Sequence, residues 1–155
     1  MISELKAGGE GEGEGGSLAL LTALALAVGA ISGAGVACFM LLLDQADQWR
    51  DALIVFAHAQ GSEGIWLPVG ASAAAAGIAA SLVRRISPQA AGSGIPQVEA
   101  ILTGQMAEAP FRIIPVKFIG GALAIGAGLA LGREGPSVHM AGTLGHLVGK
   151  IFRRD

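Results

Sequence analysis

Two long runs without a charged residue constrain what this chain can fold into. The first extends from Gly15 to Leu43, over 29 positions, and the second from Gly64 to Val83, over 20 positions. A helix of about 20 apolar residues is long enough to cross the hydrocarbon core of a bilayer. The sequence therefore predicts transmembrane helices over about 17–43 and 66–85, in an all-α, multi-pass integral membrane protein.

A cleavable signal peptide is the competing interpretation of the first run. Such a peptide has a basic segment in front of a short apolar region. Here the segment in front of the run holds one lysine, Lys6, and four glutamates: Glu4, Glu10, Glu12, Glu14. The run itself is also too long for the apolar region of a signal peptide. We therefore expect a true transmembrane helix that follows a disordered, acidic tail over residues 1–16.

Glycines in this tail match the dinucleotide-binding pattern G-x-G-x-x-G by accident. Gly11, Gly13 and Gly16 have the spacing, but no strand precedes them and the glutamates between them would repel a pyrophosphate. No cofactor is predicted. A net charge of −2 without a basic stripe argues against nucleic acid as a partner, and no catalytic triad or P-loop suggests an enzyme.

The charged residues that flank the two runs predict the topology. Residues 44–63 are expected to form a water-facing loop, with a short interfacial helix around 49–57. Arg84 and Arg85 end the second helix, and the excess of positive charge in cytoplasmic loops places that end inside. The loop 44–63 then lies outside, and the tail lies in the cytoplasm.

After Ser87 the apolar segments become shorter and are interrupted by glycine and charge. Helices are predicted at about 95–103, 112–131 and 136–152, and the windows 118–132 and 135–149 hold only 15 uncharged residues each. Such lengths are typical of half-helices. Irregular backbone at membrane depth occurs where it is buried or lines a watery cavity, so this part of the chain predicts a pathway.

The first interruption is the string Gly92-Ser93-Gly94-Ile95-Pro96. Its glycines permit unusual backbone conformations, and proline suits a first helical turn. The N-terminus of a helix offers unpaired N–H groups and a positive dipole end to an anion. Ser93, Gly94 and Ile95 are therefore candidate anion-binding residues, although the Ser93 hydroxyl could instead cap the helix.

The second interruption is the string Gly132-Arg133-Glu134-Gly135-Pro136, which makes Gly135 and Pro136 further anion-binding candidates. Glu134 has two interpretations. It could be a structural acid that the helix dipole favours. Alternatively, its carboxylate could compete with an anion for the same N–H donors and leave when protonated, which would make it both gate and proton carrier.

Other charged and titratable residues lie near these strings. Glu99 and Lys117 each stand in a short apolar segment, and lone buried charges are costly, so we expect them to form a structural ion pair. His139 and His146 are seven residues apart on one helix face. Because no cysteine or carboxylate accompanies them at ligand spacing, packing is favoured over metal binding.

Residues 91–104 and 110–153 resemble the first conserved block of the prokaryotic CLC chloride channels and proton/chloride antiporters. The shared strings are AGSGIPQVEAIL, PVKFIGGALAIGAGLALGREGPSVHMAG and IFR. The resemblance implies a membrane fold of two inverted halves with short, broken helices, of which 17–155 would be a part. It also implies that Ser93 coordinates the anion, that Glu134 is the external gate, and that a homodimer transports chloride and protons across a bacterial inner membrane.

The chain also departs from the CLC pattern. Family members are several hundred residues long, and this sequence has neither their later G-x-F-x-P motif nor any tyrosine. We therefore expect an N-terminal fragment that cannot close a conduction path alone. Proton/chloride antiport is favoured for the whole protein. A passive chloride channel and a small self-associating protein without transport, joined through Ala141, Gly145 and Gly149, stay open as alternatives.

Overall fold

The computed structural model describes residues 10–105 and 110–152, and within these ranges the chain forms helices and no strand. Two short 3-10 turns, Ser62–Ile65 and Pro88–Ala90, separate longer helices. The α-helices are α1 Glu10–Ala59, α2 Trp66–Ile86, α3 Ile95–Leu102, α4 Ile113–Gly126 and α5 Glu134–Phe152. The predicted all-α fold is confirmed.

Helix α1 is one unbroken helix of 50 residues, so the loop predicted at 44–63 is wrong for residues 44–59. No glycine or proline stands between Gly35 and Gly61 to interrupt it. The charges that suggested a loop pair within the helix, since Arg50 lies 2.6 Å from Asp47 and 3.1 Å from Asp51.

The predicted disordered tail lies only partly within the described residues. Residues 1–9 fall outside them, and from Glu10 onward the chain is helical, so the prediction of disorder is wrong for residues 10–16. Helix α1 is thus about 75 Å long at 1.5 Å per residue.

The core lies where α1, α4 and α5 meet. Phe39 and Leu43 of α1 are fully buried and pack with Ile125 and Met140. The ring of Phe39 lies 5.5 Å from that of Phe118, centroid to centroid, in a tilted arrangement. Aromatic rings in such an arrangement attract one another beyond the area they bury.

Helix α2 packs on another side of α4 from α1. Helices α1 and α2, which hold the two long apolar runs, are thus both in contact with α4, and they also touch each other. The bounds of α2 lie within one residue of the predicted 66–85. Ala79 of α2 is buried opposite Gly120 of α4, and the Ser72 hydroxyl donates a 2.8 Å hydrogen bond to the Ala127 carbonyl. Small residues on both helices allow this close approach.

Helix α4 ends at Gly126, five residues before the predicted end at 131. Gly128 has a left-handed backbone with φ of 92°, and the N–H groups of Gly128 and Leu129 donate to the carbonyls of Ile125 and Ala124. This turn closes the C-terminus of the helix. A non-helical segment then leads to α5, which begins at Glu134, two residues before the predicted start.

Among residues 10–105 and 110–152, two stretches are long and apolar enough to cross a membrane, by length and composition: Leu18–Ala59 and Ser62–Ile86. Their apolar side chains are largely exposed, among them Leu26, Ile31 and Leu41. Helix α4 has only 14 residues and is about 21 Å long, which is less than the hydrocarbon core of about 30 Å. Helix α3, with eight residues, is shorter still, whereas α5 has 19 residues, so two of the three later helices are short.

Candidate functional site

The two glycine-rich strings lie in direct contact. Gly135, in the first turn of α5, faces the backbone of Ser93: a Cβ atom at position 135 would lie 2.7 Å from the Ser93 carbonyl oxygen and 3.1 Å from its Cα. Only glycine therefore fits at this position. The starts of α3 and α5, which are separated by about 40 residues of sequence, thus meet at one place.

The loop Gly92–Gly94 turns sharply before α3. Gly94 is the N-cap residue of α3, and its φ of 86° lies in the left-handed region that favours glycine. No side chain caps this helix, so the capping role considered for Ser93 is not observed. Ser93 is exposed, and in the described part of the chain its hydroxyl has no hydrogen-bond partner.

A cavity of about 680 Å³ opens in front of both helix starts. Ser93, Ile95, Gly135 and Pro136 line it together with Glu134 and Lys117, so six of the predicted site residues share one space. Gly94, the remaining anion-binding candidate, does not line the cavity and packs against His139. The cavity walls are mostly small and apolar and come from α2 and α4: Ala76, Ala79, Ala80, Gly120, Gly121, Ala124.

Glu134 is the first residue of α5 and its side chain is exposed. The ion pairs found within residues 10–105 and 110–152 do not include its carboxylate. The carboxylate thus stands at the positive end of the helix dipole, beside the cavity, without a cationic partner.

Arg133 turns away from its neighbour Glu134 and binds α1. Its guanidinium lies 2.9 Å from an oxygen of Asp44 and 2.5 Å from an oxygen of Asp47. Asp44 and Asp47 share one face of α1 because they are three residues apart on a helix. Sequence reasoning missed this contact because it assigned both aspartates to a loop, although Asp47 and Arg50 have the i,i+3 spacing of an ion pair on a helix.

The predicted ion pair between Glu99 and Lys117 is not formed in this structure. Glu99 is exposed on α3, whereas Lys117 of α4 is buried, with 7% of its surface exposed. The Lys117 ammonium donates a hydrogen bond to the carbonyl of Gly92 instead. A backbone carbonyl thus satisfies this cation, and Lys117 fixes the loop in front of Ser93.

His139 is buried inside the protein, with 0% of its surface exposed. Its ring packs against Gly94, one helical turn beyond the contact between Gly135 and Ser93. Across the described ranges no group of three histidine, cysteine, aspartate or glutamate residues is placed to hold a metal ion.

Comparisons with known proteins place the chain in a family. The family model described as voltage gated chloride channel matches residues 75–155, just over half of the chain. A protein of Vibrio cholerae named H(+)/Cl(-) exchange transporter ClcA is 50% identical over 72 residues, which are 46% of this chain and 15% of that protein.

Two further relatives carry the same printed name. The Vibrio vulnificus protein is 48% identical over 90 residues, covering 57% of this chain and 19% of the relative. The Klebsiella pneumoniae protein is 51% identical over 72 residues, covering 46% and 15%. The chain thus spans less than a fifth of the length of these relatives. Together with the family model, they show that the chain belongs to the voltage gated chloride channel family, CLC.

Proposed function

We propose that this chain is part of a chloride transporter in a bacterial inner membrane, one that exchanges chloride for protons. The observation that carries the proposal is the contact between Gly135 and Ser93, which directs the starts of α3 and α5 toward one cavity. Relatives named as H(+)/Cl(-) exchange transporters support antiport over passive conduction. The resemblance to the family further suggests a homodimer.

The anion is proposed to bind at the two helix starts. An anion that leaves water for a cavity walled by alanine and glycine needs compensating hydrogen bonds. Unpaired N–H groups in the first turns of α3 and α5 supply them, and the helix dipoles add to the attraction. The Ser93 hydroxyl, which caps no helix here, can add one further donor.

Glu134 is proposed to be the gate. Its exposed carboxylate stands at the start of α5, where it competes with chloride for the same donors when ionised. Protonation removes that competition and loads a proton. Because Arg133 is held by Asp44 and Asp47, its cation is directed away from this carboxylate and leaves Glu134 free to move.

Glu134→Gln tests the gate directly. Chloride and proton fluxes are recorded together in liposomes that contain the whole protein encoded by the gene, with and without this substitution. The neutral amide cannot carry a proton or compete as an anion, so chloride flux should persist while coupled proton flux falls to background. Glu63→Gln, an exposed glutamate in the turn before α2, is the matched control and should leave both fluxes unchanged.

Each alternative has its own outcome in this assay. Chloride flux without any coupled proton flux in the unmodified protein would support a passive channel. Intact coupling in Glu134→Gln would make Glu134 a structural acid. The self-associating protein has weaker support, because Val28 of α1 already faces Gly145 on the proposed contact surface.

A further inference from the structure

We propose that His139 determines the anion selectivity of this site by spacing the start of α3 from the start of α5. The inference rests on the proposed function, because it assigns a role at the same anion site. His139 is not among the residues that line the cavity, and its role would be to position the loop that does.

Helix α5 contacts the loop Gly92–Gly94 through two residues on one face. Gly135 meets the backbone of Ser93, and His139, four residues further along, meets Gly94. A Cβ atom on Gly94 would lie 2.3 Å from the Cβ, Cγ and Nδ1 atoms of His139. Gly94 therefore packs directly against the His139 side chain, touching both its Cβ and the edge of the imidazole ring formed by Cγ and Nδ1.

The bulk of the ring, rather than its hydrogen bonding, is what this contact uses. His139 is fully buried, and neither ring nitrogen has a hydrogen-bond partner within the described residues. Buried polar atoms in native proteins usually have such partners. The ring thus acts on the loop as a spacer of fixed thickness, because packed interiors transmit changes of volume.

The opposite side of the loop is also fixed. Lys117 of α4 holds the Gly92 carbonyl, so the loop is attached at one end to α4 and rests at the other on α5. A smaller residue at position 139 would let Gly94 and the start of α3 settle toward α5. The donors at the two helix starts would then fit an anion of a different radius.

Two substitutions separate bulk from chemistry. His139→Leu keeps a side chain of similar volume and removes both unpaired nitrogens, so it should fold at least as well as the unmodified protein. His139→Ala removes the bulk. The readout is the ratio of bromide to chloride flux and of nitrate to chloride flux in liposomes, which a general loss of folded protein does not alter.

We expect His139→Leu to keep both ratios within about twofold and His139→Ala to change at least one of them about fivefold or more. His146→Ala is the matched control. It lies seven residues further along α5, about 10 Å from His139, and should leave the ratios unchanged. If His139→Ala does not yield folded protein, His139→Asn provides the smaller side chain.

Three results would decide against the inference. Unchanged ratios in the smaller variant would show that the ring does not set the spacing. Equal changes in His139→Leu and His139→Ala would show that the imidazole chemistry matters instead, and a matching change in His146→Ala would make the effect nonspecific. Absence of chloride flux from the whole unmodified protein that the gene encodes, as distinct from residues 1–155 alone, would instead refute the proposed function itself.

Discussion

Arg133 Nη2 lies 2.5 Å from an oxygen of Asp47, which joins the residue before Glu134 to a helix 86 residues earlier in the chain. The same guanidinium also reaches Asp44. A planar guanidinium can bind two carboxylates at once in a fixed geometry. The start of α5, and with it Glu134, is therefore positioned by α1 as well as by its own loop.

Loss of this bridge should weaken the attachment of α5. The groups are partly exposed, so we expect a coupling free energy of about 1 kcal/mol between Arg133→Gln and Asp47→Asn in a double-mutant cycle. Urea unfolding in mild detergent, followed by tryptophan fluorescence, gives the four free energies. A cycle between Arg133→Gln and Asp51→Asn is the control, because Asp51 pairs with Arg50 and, within the part of the chain that the structure describes, with no other cation. Equal coupling in both cycles would contradict the bridge.

Gly135→Ala should destabilise the protein although alanine favours helix. Helix propensity alone predicts a gain of about 1 kcal/mol. However, the new methyl group would lie 2.7 Å from the Ser93 carbonyl oxygen, and relief of such overpacking costs about 1–3 kcal/mol. The same unfolding assay gives the difference.

Gly149→Ala is the matched control for this substitution. Gly149 lies on the same helix and has no atom within 4 Å of its added Cβ, so the propensity gain should appear there. A stability equal to or above that of the unmodified protein in Gly135→Ala would show that the two strings are not packed as described.

The topology can be measured by labelling single cysteines in intact cells. After Cys38→Ala removes the native thiol, Ser62→Cys should react with an impermeant maleimide from outside and Gln89→Cys only after the cells are opened. Both positions are exposed, and α2, with 21 residues between them, is about as long as the hydrocarbon core is thick. The opposite pattern would invert the predicted orientation.

Residues 1–155 alone should carry no chloride above the background of empty liposomes. The cavity at the two helix starts is partly open to its surroundings, and Ser93 and Glu134, which line it, are exposed. We therefore expect that an anion at this position is not enclosed by these residues alone. Clear chloride flux from the purified chain would instead indicate a pore formed by several copies.

The ends of a helix could be predicted from the sequence where a residue at that end marks it. The bounds of α2 follow from Trp66 and the arginine pair at its end, and α3 starts at the glycine-proline string as expected. Charge misled the prediction at residues 44–59, because Asp47 and Arg50 suggested a loop when taken singly and pair on a helix. The early end of α4 depends on the left-handed turn at Gly128, which the apolar residues around it concealed.

Contacts between segments that are far apart in the sequence could not be predicted from such local patterns. The sequence paired Lys117 with Glu99 because each stands in a short apolar segment, and it offers no measure of which backbone carbonyl a folded lysine can reach. The Gly92 carbonyl, 25 residues away, is its partner. The spacer position of His139 is likewise fixed only when α3 is laid against α5. The candidate site residues could be named from the sequence, whereas the contacts that hold them in place could not.

The contact between Gly135 and Ser93 has a genetic consequence. A larger residue at position 135 would meet the carbonyl oxygen and Cα of residue 93, atoms that every amino acid carries, and then the Cβ of Ser93 at 3.2 Å. Among substitutions at position 93, Ser93→Gly alone removes one of these atoms, and it leaves the two closer backbone contacts in place. A search for second-site suppressors of Gly135→Ala should therefore recover mainly changes in the residues that hold the loop, at positions 117 and 139.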